Sequence, residues 1–491
     1  MSRKKKSQLS GIFTLPNGDQ AFGNLKLRRR KTVLKVHPKV EVNPIATPVT
    51  INGILGDLQK VSCIDALVGA CSSGYQKDGD RYHYAEIFPH FVTIGSRYCS
   101  PTDPAIIRVH FTTQDISILF HDFHAFGHHV ISKAEAESLV QANKSQNNTE
   151  FGEFPHIVYF SGRNEIIAVN TPVGIFRVSH QPSFKVGSLT KGMIANDMRL
   201  SMEFEAPVAF EECIDRIMSI QRFLSVLAGR KQAIESISID LVEEPGKENS
   251  SLDLHWMFAP KRAKQNENEP RTGDLPLDAV RRSEEFKTTL ETWLNLEPTR
   301  RIARIRYAGC MGKSNGYSID RLVAAANMFD IFPSESDQLA TSLPGDLTQA
   351  QQECRVILKR LTPGPERDSV LGALGRMGKP SLTTKVLSRA AVVTEKLGTK
   401  LPDLALAAKI SITIRNYFVH GNLNGFDYEK LEPSTPFLTD TLEFIFASSD
   451  LIDAGWNAEV WNSKQHGYGH SFARFLWSYQ EEMNSLKEAL S

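Results

Sequence analysis

Two features are missing from this chain: a long apolar run and a paired-cysteine motif. Its most apolar stretch, 404–414, is interrupted by Lys409, so no segment reaches the length a membrane-spanning helix requires. Six cysteines (Cys63, Cys71, Cys99, Cys213, Cys310 and Cys354) are scattered with no C-x-x-C pair. This excludes a zinc ribbon or a disulfide framework and fits a reducing compartment. The basic start, Lys4-Lys5-Lys6, is not followed by the apolar core of a signal peptide, because Pro16, Asn17 and Asp19 come too soon. Net charge is also nearly absent, at +1. That does not decide between partners, since a nucleic-acid enzyme needs only a local basic face. The expectation is a soluble, cytoplasmic protein with no membrane partner.

At 491 residues, with 41% hydrophobic and 23% charged residues, the chain has the make-up of a globular protein with two or three domains. From about 10 to 260 the hydrophobic period is mostly two. The segment 198–205 puts Leu200, Met202 and Phe204 on one face, and 106–112, 116–120, 156–160, 166–169, 174–179, 234–242 and 252–258 are further predicted strands. Gly162-Arg163-Asn164 and Pro245-Gly246 supply turns, and one helix is predicted over 211–229. Many short strands with turns imply a mainly antiparallel sandwich or barrel.

A polar stretch, 261–270, then lacks large apolar residues and reads as a linker or exposed loop. Beyond it the period becomes 3.6, with helices predicted over 277–296, 319–329, 347–361, 367–376, 382–397, 403–419, 437–454 and 471–490. The predicted class is α+β: a β-rich sandwich or barrel-like domain, 1–265, followed by an all-α bundle, 275–491. The basic clusters, among them Arg300-Arg301 with Arg304 and Arg306, read as solvated surface.

One helix end concentrates chemistry. It reads Arg415-Asn416-Tyr417-Phe418-Val419-His420-Gly421. Residues four apart on a helix differ by roughly 40° in direction, so Asn416 and His420 share a face, with Arg415 about 100° to the side. Gly421 can end the helix, and Tyr417, Phe418 and Val419 are expected to pack against the bundle. The trio suits RNA cleavage, where the 2′-hydroxyl attacks its own phosphate and no other nucleophile is needed. His420 supplies a general acid or base near neutral pH, and Arg415 a fixed charge for the phosphorane oxygens. Asn416 would orient the histidine or a phosphate oxygen. No metal ligands or cofactor-binding residues accompany these side chains, so the expected chemistry is metal-independent.

The pattern R-N-x-x-x-H in a helical domain resembles the signature of HEPN ribonucleases. The continuation into Gly421 and the opening Gly11-Ile-Phe-Thr-Leu-Pro16 resemble the Apea-like branch, in which a β-rich ApeA-type domain precedes the HEPN domain in proteins of abortive phage infection. The resemblance implies an endoribonuclease acting on tRNA or mRNA loops. It also implies a homodimer that brings two Arg/His sets to one cleft, and an N-terminal domain that senses a phage protein as trigger. The alternative is a non-catalytic HEPN module serving interaction or dimerisation in a defence or toxin–antitoxin complex.

Other signals carry less. Arg376 and Lys379, in Gly375-Arg-Met-Gly378-Lys379, could touch RNA phosphate from a basic glycine loop, though a plain interhelical turn explains them. Histidines 121, 124, 128 and 129 would suit a zinc ion only if helical, and a turn with ordinary histidines is the simpler reading; a metal-dependent nuclease built on them would lose activity in EDTA. Gly309 to Ser314 imitates the end of a P-loop, but Tyr307 stands where its first glycine is required. Trp456, Trp461, Trp477 and Tyr479 read as packing for the last helices.

Overall fold

A computed structural model of the whole chain describes residues 8–42, 45–75, 81–142, 150–188, 191–243, 251–263, 268–313, 316–333, 343–421 and 427–491. It divides into two compact units. One comprises Met1–Ala228, Gln232–Glu267 and Leu277–Leu294; the other comprises Gly229–Lys231, Asn268–Pro276 and Asn295–Ser491.

The first unit is built on one large antiparallel sheet. Strands β1 (Gln8–Thr14), β2 (Gln20–Lys26), β3 (Val33–His37), β4 (Ile45–Leu55), β5 (Lys60–Tyr75) and β6 (Arg81–Gly95) lie in the order β6-β3-β2-β1-β4-β5. Because β5 also pairs with β6, these six close into a barrel. Alternation explains the closure: Phe13, Leu25, Leu34, Val36, Ile51, Val61, Ala85 and Ile87 all turn inward and are buried, whereas Ile12 and Phe22 face out. Gly11 lies between Gly23 and Leu55 on its two neighbours, and a Cβ there would run into the Ile54 carbonyl, so the close strand approach needs glycine.

The far half of β6, from Phe91 to Gly95, leaves β3 and pairs with β16 (Ser251–Trp256). From there the sheet continues through β15 (Ile234–Leu241), β7 (Ile106–Thr113), β14 (Arg199–Val208), β11 (Gly174–Ser179) and β10 (Glu165–Thr171). Two hairpins stand apart, β8 (Phe126–Val130) with β9 (His156–Phe160), and β12 (Pro182–Ser188) with β13 (Lys191–Asn196).

The segment expected as a strand at 116–120 is instead a short helix, α1 (Ile116–Leu119). The cause is the buried Asp115. Its carboxylate accepts from Gln232 Nε2 at 2.7 Å while its N–H donates to Gln232 Oε1 at 3.1 Å, which turns the chain out of the sheet. Helix α2 (Lys133–Ala142) follows, and α3 (Phe210–Ala228) is the helix expected at 211–229. The turn expected at Pro245-Gly246 lies outside the described residues. Helix α4 (Ser283–Asn295) groups with this unit almost entirely, setting Phe286 against Phe120 and Phe223 at ring distances of 5.6 and 5.8 Å, and Trp293 against Phe223 at 5.6 Å.

The second unit is helical: α5 (Glu297–Met311), α6 (Ile319–Ile331), α7 (Gly345–Arg360), α8 (Pro365–Arg376), α9 (Leu382–Leu397), α10 (Leu404–His420), α11 (Tyr428–Leu431), α12 (Thr435–Asp453), α13 (Ala458–Asn462) and α14 (Ser471–Leu490). Helix α12 is buried along most of its length and packs with α6, α9 and α10. Trp456, Trp461 and Tyr479 are buried as expected, but Trp477 is exposed. The basic cluster at Arg300 and Arg304 is not solvated surface. Helix α5 turns these two arginines inward and leaves Ile302 and Ile305 exposed. Arg304 donates Nε to Asp450 Oδ2 at 2.8 Å and Nη1 to Glu297 Oε2 at 2.8 Å; Arg300 donates Nη1 to Asp450 Oδ1 at 2.7 Å. A buried carboxylate pair captures the cations, so charge seats this helix together with the buried Ala303, Tyr307 and Cys310. Among the described residues no helix is long and apolar enough to cross a membrane.

Candidate active site

Helix α10 forms because Leu404, Ala407, Ala408, Ser411 and Ile412 repeat at helical spacing and are buried against the bundle. It stops at Gly421, which takes the left-handed conformation (φ 67°) and donates its N–H to the Tyr417 carbonyl at 2.9 Å. Burial runs out one residue before Arg415. The last turn extends past the core, with Arg415, Asn416 and Tyr417 half-buried and Phe418, Val419 and His420 exposed. Phe418 and Val419 thus do not pack into the bundle as the sequence suggested; instead Phe418 meets Tyr417 and Tyr428 edge-on at 4.9 and 4.8 Å.

Arg415 is the hub of the trio. Its Nη1 lies 3.0 Å from Asn416 Oδ1 and 3.2 Å from His420 Nε2. With the guanidinium donating, Nε2 is the acceptor and the neutral ring carries its proton on Nδ1. Asn416 holds the arginine rather than the ring; among the described residues no hydrogen bond joins it to His420.

Two residues the sequence reading missed complete the cluster from α6. Asn327 Oδ1 accepts from Arg415 Nη2 at 3.0 Å, and Asp330 Oδ2 stands 3.6 Å from the same nitrogen. Their signal was available, as polar residues interrupting the apolar run Ala324-Ala-Ala-Asn327-Met-Phe-Asp330-Ile-Phe332. The Arg415 side chain is 14% exposed, and among the described residues its buried Nε has no hydrogen-bond partner. A half-buried cation, an imidazole at the rim and a supporting amide on each side can bind a phosphate oxygen and exchange a proton next to it.

Arg376 and Lys379 lie at the end of α8, in a turn where Gly378 adopts φ 79° and Lys379 N–H donates to the Arg376 carbonyl at 3.0 Å. Among the described residues no contact joins either to the trio. Of the histidine-rich segment, His128 sits on β8 with Nε2 2.7 Å from His156 Nδ1. Among the described residues no three His, Cys, Asp or Glu side chains gather as a metal site. The P-loop-like Gly309 is inside helix α5.

Comparison with known proteins places the chain in a family. A search of curated proteins and one of solved structures each find no match. The model of the ApeA N-terminal domain 1 matches residues 8–293, more than half of the chain, and that of the Apea-like HEPN domain matches 323–460. The second range contains Asn327, Asp330 and the whole trio. HEPN domains are in general ribonuclease domains, and their union with an ApeA region points to a nuclease-like role in abortive infection. The chain belongs to the ApeA-type HEPN family.

Proposed function

We propose that the protein is a metal-independent endoribonuclease, with a nuclease domain at 275–491, whose first helix, α4, groups with the strand-rich unit, and a regulatory domain at 1–265. The observation that supports this best is Arg415 Nη1 shared between His420 Nε2 and Asn416 Oδ1 at an exposed helix end. An RNA phosphate oxygen competes for that donor. As it binds, the Nε2 lone pair of His420 is released and accepts the 2′-hydroxyl proton. The 2′-oxygen then bonds to phosphorus, and Arg415 stabilises the extra negative charge. The bond to the 5′-oxygen breaks, leaving a 2′,3′-cyclic phosphate, and the departing oxygen takes a proton. A second copy, pairing through the HEPN domain, supplies the second histidine for that proton.

Exposed Phe418, beside Tyr417 and Tyr428, gives unpaired loop bases of a tRNA or mRNA a stacking face. Arg376 and Lys379 add phosphate contacts. In the cytoplasm such an enzyme would act as a toxin, and a phage protein recognised by the regulatory domain releases it. The rival reading, a non-catalytic platform, draws on the fact that both terminal nitrogens of Arg415 are already engaged.

The deciding experiment incubates the purified full chain with tRNA and mRNA in EDTA. Discrete fragments are expected from wild type, and a drop of about 10²–10⁴-fold from His420→Ala, with a comparable loss from Arg415→Ala. Intact RNA in every reaction, with a folded protein, would favour the platform.

A further inference from the structure

One rung of the barrel is apolar on its outer side as well as its inner. Ile54, Ile12 and Phe22 are direct cross-strand neighbours on β4, β1 and β2, and Phe22 pairs in turn with His37 on β3. The His37 ring lies 5.5 Å from that of Tyr84 on β6, so the row crosses five consecutive strands. Ile12 is 53% exposed and Phe22 55%; Ile54 and His37 are exposed and Tyr84 is half-buried. The barrel core is filled by the inward residues, Phe13, Leu25 and Val36 among them, and makes no use of this row. An apolar residue exposed singly needs no explanation, whereas a contiguous row marks a binding face.

Charge selects the occupant. Strands β1 to β4 contain no aspartate or glutamate, while β2 and β3 bring Lys26 and Lys35. Glu86 on β6 is engaged by Lys35 Nζ at 2.8 Å and by Tyr84 Oη, which donates to it at 2.5 Å and fixes the ring. The connection from β2 to β3 contains four successive exposed cations, Arg28-Arg29-Arg30-Lys31. It is a tight turn: Lys31 N–H and Thr32 Oγ1 both donate to the Arg28 carbonyl, at 3.1 and 2.7 Å. Arg30 takes the left-handed conformation there, with φ 59°. Glycine or asparagine adopts it at lower cost, so the backbone alone gives no reason for an arginine. Lys26 and this turn lie about 13–20 Å from Phe22 along β2. A row of flat rings leading to a basic turn matches a polyanion with flat apolar faces on a flexible backbone. A single strand of nucleic acid has that make-up, whereas a duplex keeps its bases stacked on one another. We propose that the outer face of the barrel binds single-stranded nucleic acid, with bases stacked on Phe22, His37 and Tyr84 and phosphates on Lys26 and the Arg28–Lys31 turn. The proposal concerns the strand-rich unit by itself and stands whether or not the helical unit cleaves RNA.

The test uses the full chain carrying Phe418→Ala and His420→Ala, which removes the ring and the proton acceptor assigned to RNA in the helical unit, so that the two readings fail separately. Fluorescence anisotropy with labelled oligo(dT) and oligo(U) of about twelve nucleotides is expected to show saturable binding, with the duplex of the same length at least about tenfold weaker. Binding of either strand supports the proposal, and the tighter of the two names the source. Phe22→Ala, at an exposed position, is expected to keep the melting temperature and weaken binding by about 5–100-fold. Phe22→Leu, still apolar, is expected to weaken it similarly, and Phe22→Trp to bind as the parent does. Arg30→Ala combined with Lys31→Ala is expected to lower the slope of log Kd against log salt by about one. Absence of saturable binding to either strand would overturn the proposal, as would binding indifferent to Phe22→Ala or an unchanged salt slope. Parent-like binding by Phe22→Leu would also overturn it, and would assign the face to an apolar protein partner instead.

Discussion

Replacing Asn327 by alanine tests the candidate site at a residue that touches neither the proposed acid–base group nor the RNA. The substitution removes the acceptor 3.0 Å from Arg415 Nη2 and leaves Asp330, at 3.6 Å, too distant to take its place without movement. A hydrogen bond to a charged group contributes about 1.5–3 kcal/mol. Water can recover part of that at this half-buried position, so about 1 kcal/mol of stability is expected to be lost. The larger effect is on placement. Among the described residues Nε is buried and unpaired, so the remaining hydrogen bonds to the guanidinium would be those to Asn416 and His420, both through Nη1, with Asp330 a looser ion pair at 3.6 Å, and the plane could swing about Nη1. A misplaced cation in phosphoryl transfer is expected to lower kcat by about 10–100-fold, equivalent to about 1.4–2.7 kcal/mol, with KM nearly unchanged. Asn327→Asp keeps an acceptor in place and is expected to recover most of kcat while raising KM, because it adds a negative charge facing a polyanion. The assay is steady-state cleavage of a fluorescent RNA hairpin, with thermal melting as the control. Wild-type kcat in a folded Asn327→Ala protein would refute the positioning argument.

Two further substitutions probe the surroundings. Phe418→Ala is expected to weaken RNA binding by about 1–3 kcal/mol, the range for stacking a base on an aromatic ring, with kcat largely retained; fluorescence anisotropy of a single-stranded RNA on His420→Ala and on the double variant reads this directly. Asp450→Asn is expected to destabilise the helical unit by about 3–5 kcal/mol in chemical denaturation, because Arg300 and Arg304 would lose their fully buried shared partner. Burial alone would push the Asp450 carboxyl pKa up, but Arg304 and Arg300 outweigh it and hold it below the ordinary value. Its stabilising contribution is therefore complete above about pH 4 and lost as pH falls through the lower folded value, a slope that Asp450→Asn is expected to flatten.

The change of hydrophobic period at the polar stretch was legible in the sequence, and so were most helices after it. Helix α10 announced itself by an apolar repeat ending in glycine, which is why Arg415, Asn416 and His420 could be picked out together. What escaped reading depended on partners distant in the chain. Helix α5 turns Arg300 and Arg304 inward, so a rule that places charge in water misreads it; Asp450, far along the sequence, joins Glu297 in making the burial of Arg304 tolerable. The segment after Asp115 has strand-forming isoleucines, yet the Gln232 side chain overrides them. Asn327 lay in an apolar run as a visible anomaly, but its role appears only where α6 and α10 meet.

The single strand β6 belongs at once to the closed barrel and to the open sheet, its one edge divided between β3 and β16. Separating either part from β6 strips a row of backbone amides that the other part cannot supply, so among the described residues the twelve-stranded sheet, apart from the two separate hairpins, has no seam at β6 along which to melt. It should behave as one foldon, with amides on both sides of β6 exchanging at a common global rate rather than in steps. Peeling the N-terminal strands away would leave a long, flat β-edge, a template for intermolecular pairing.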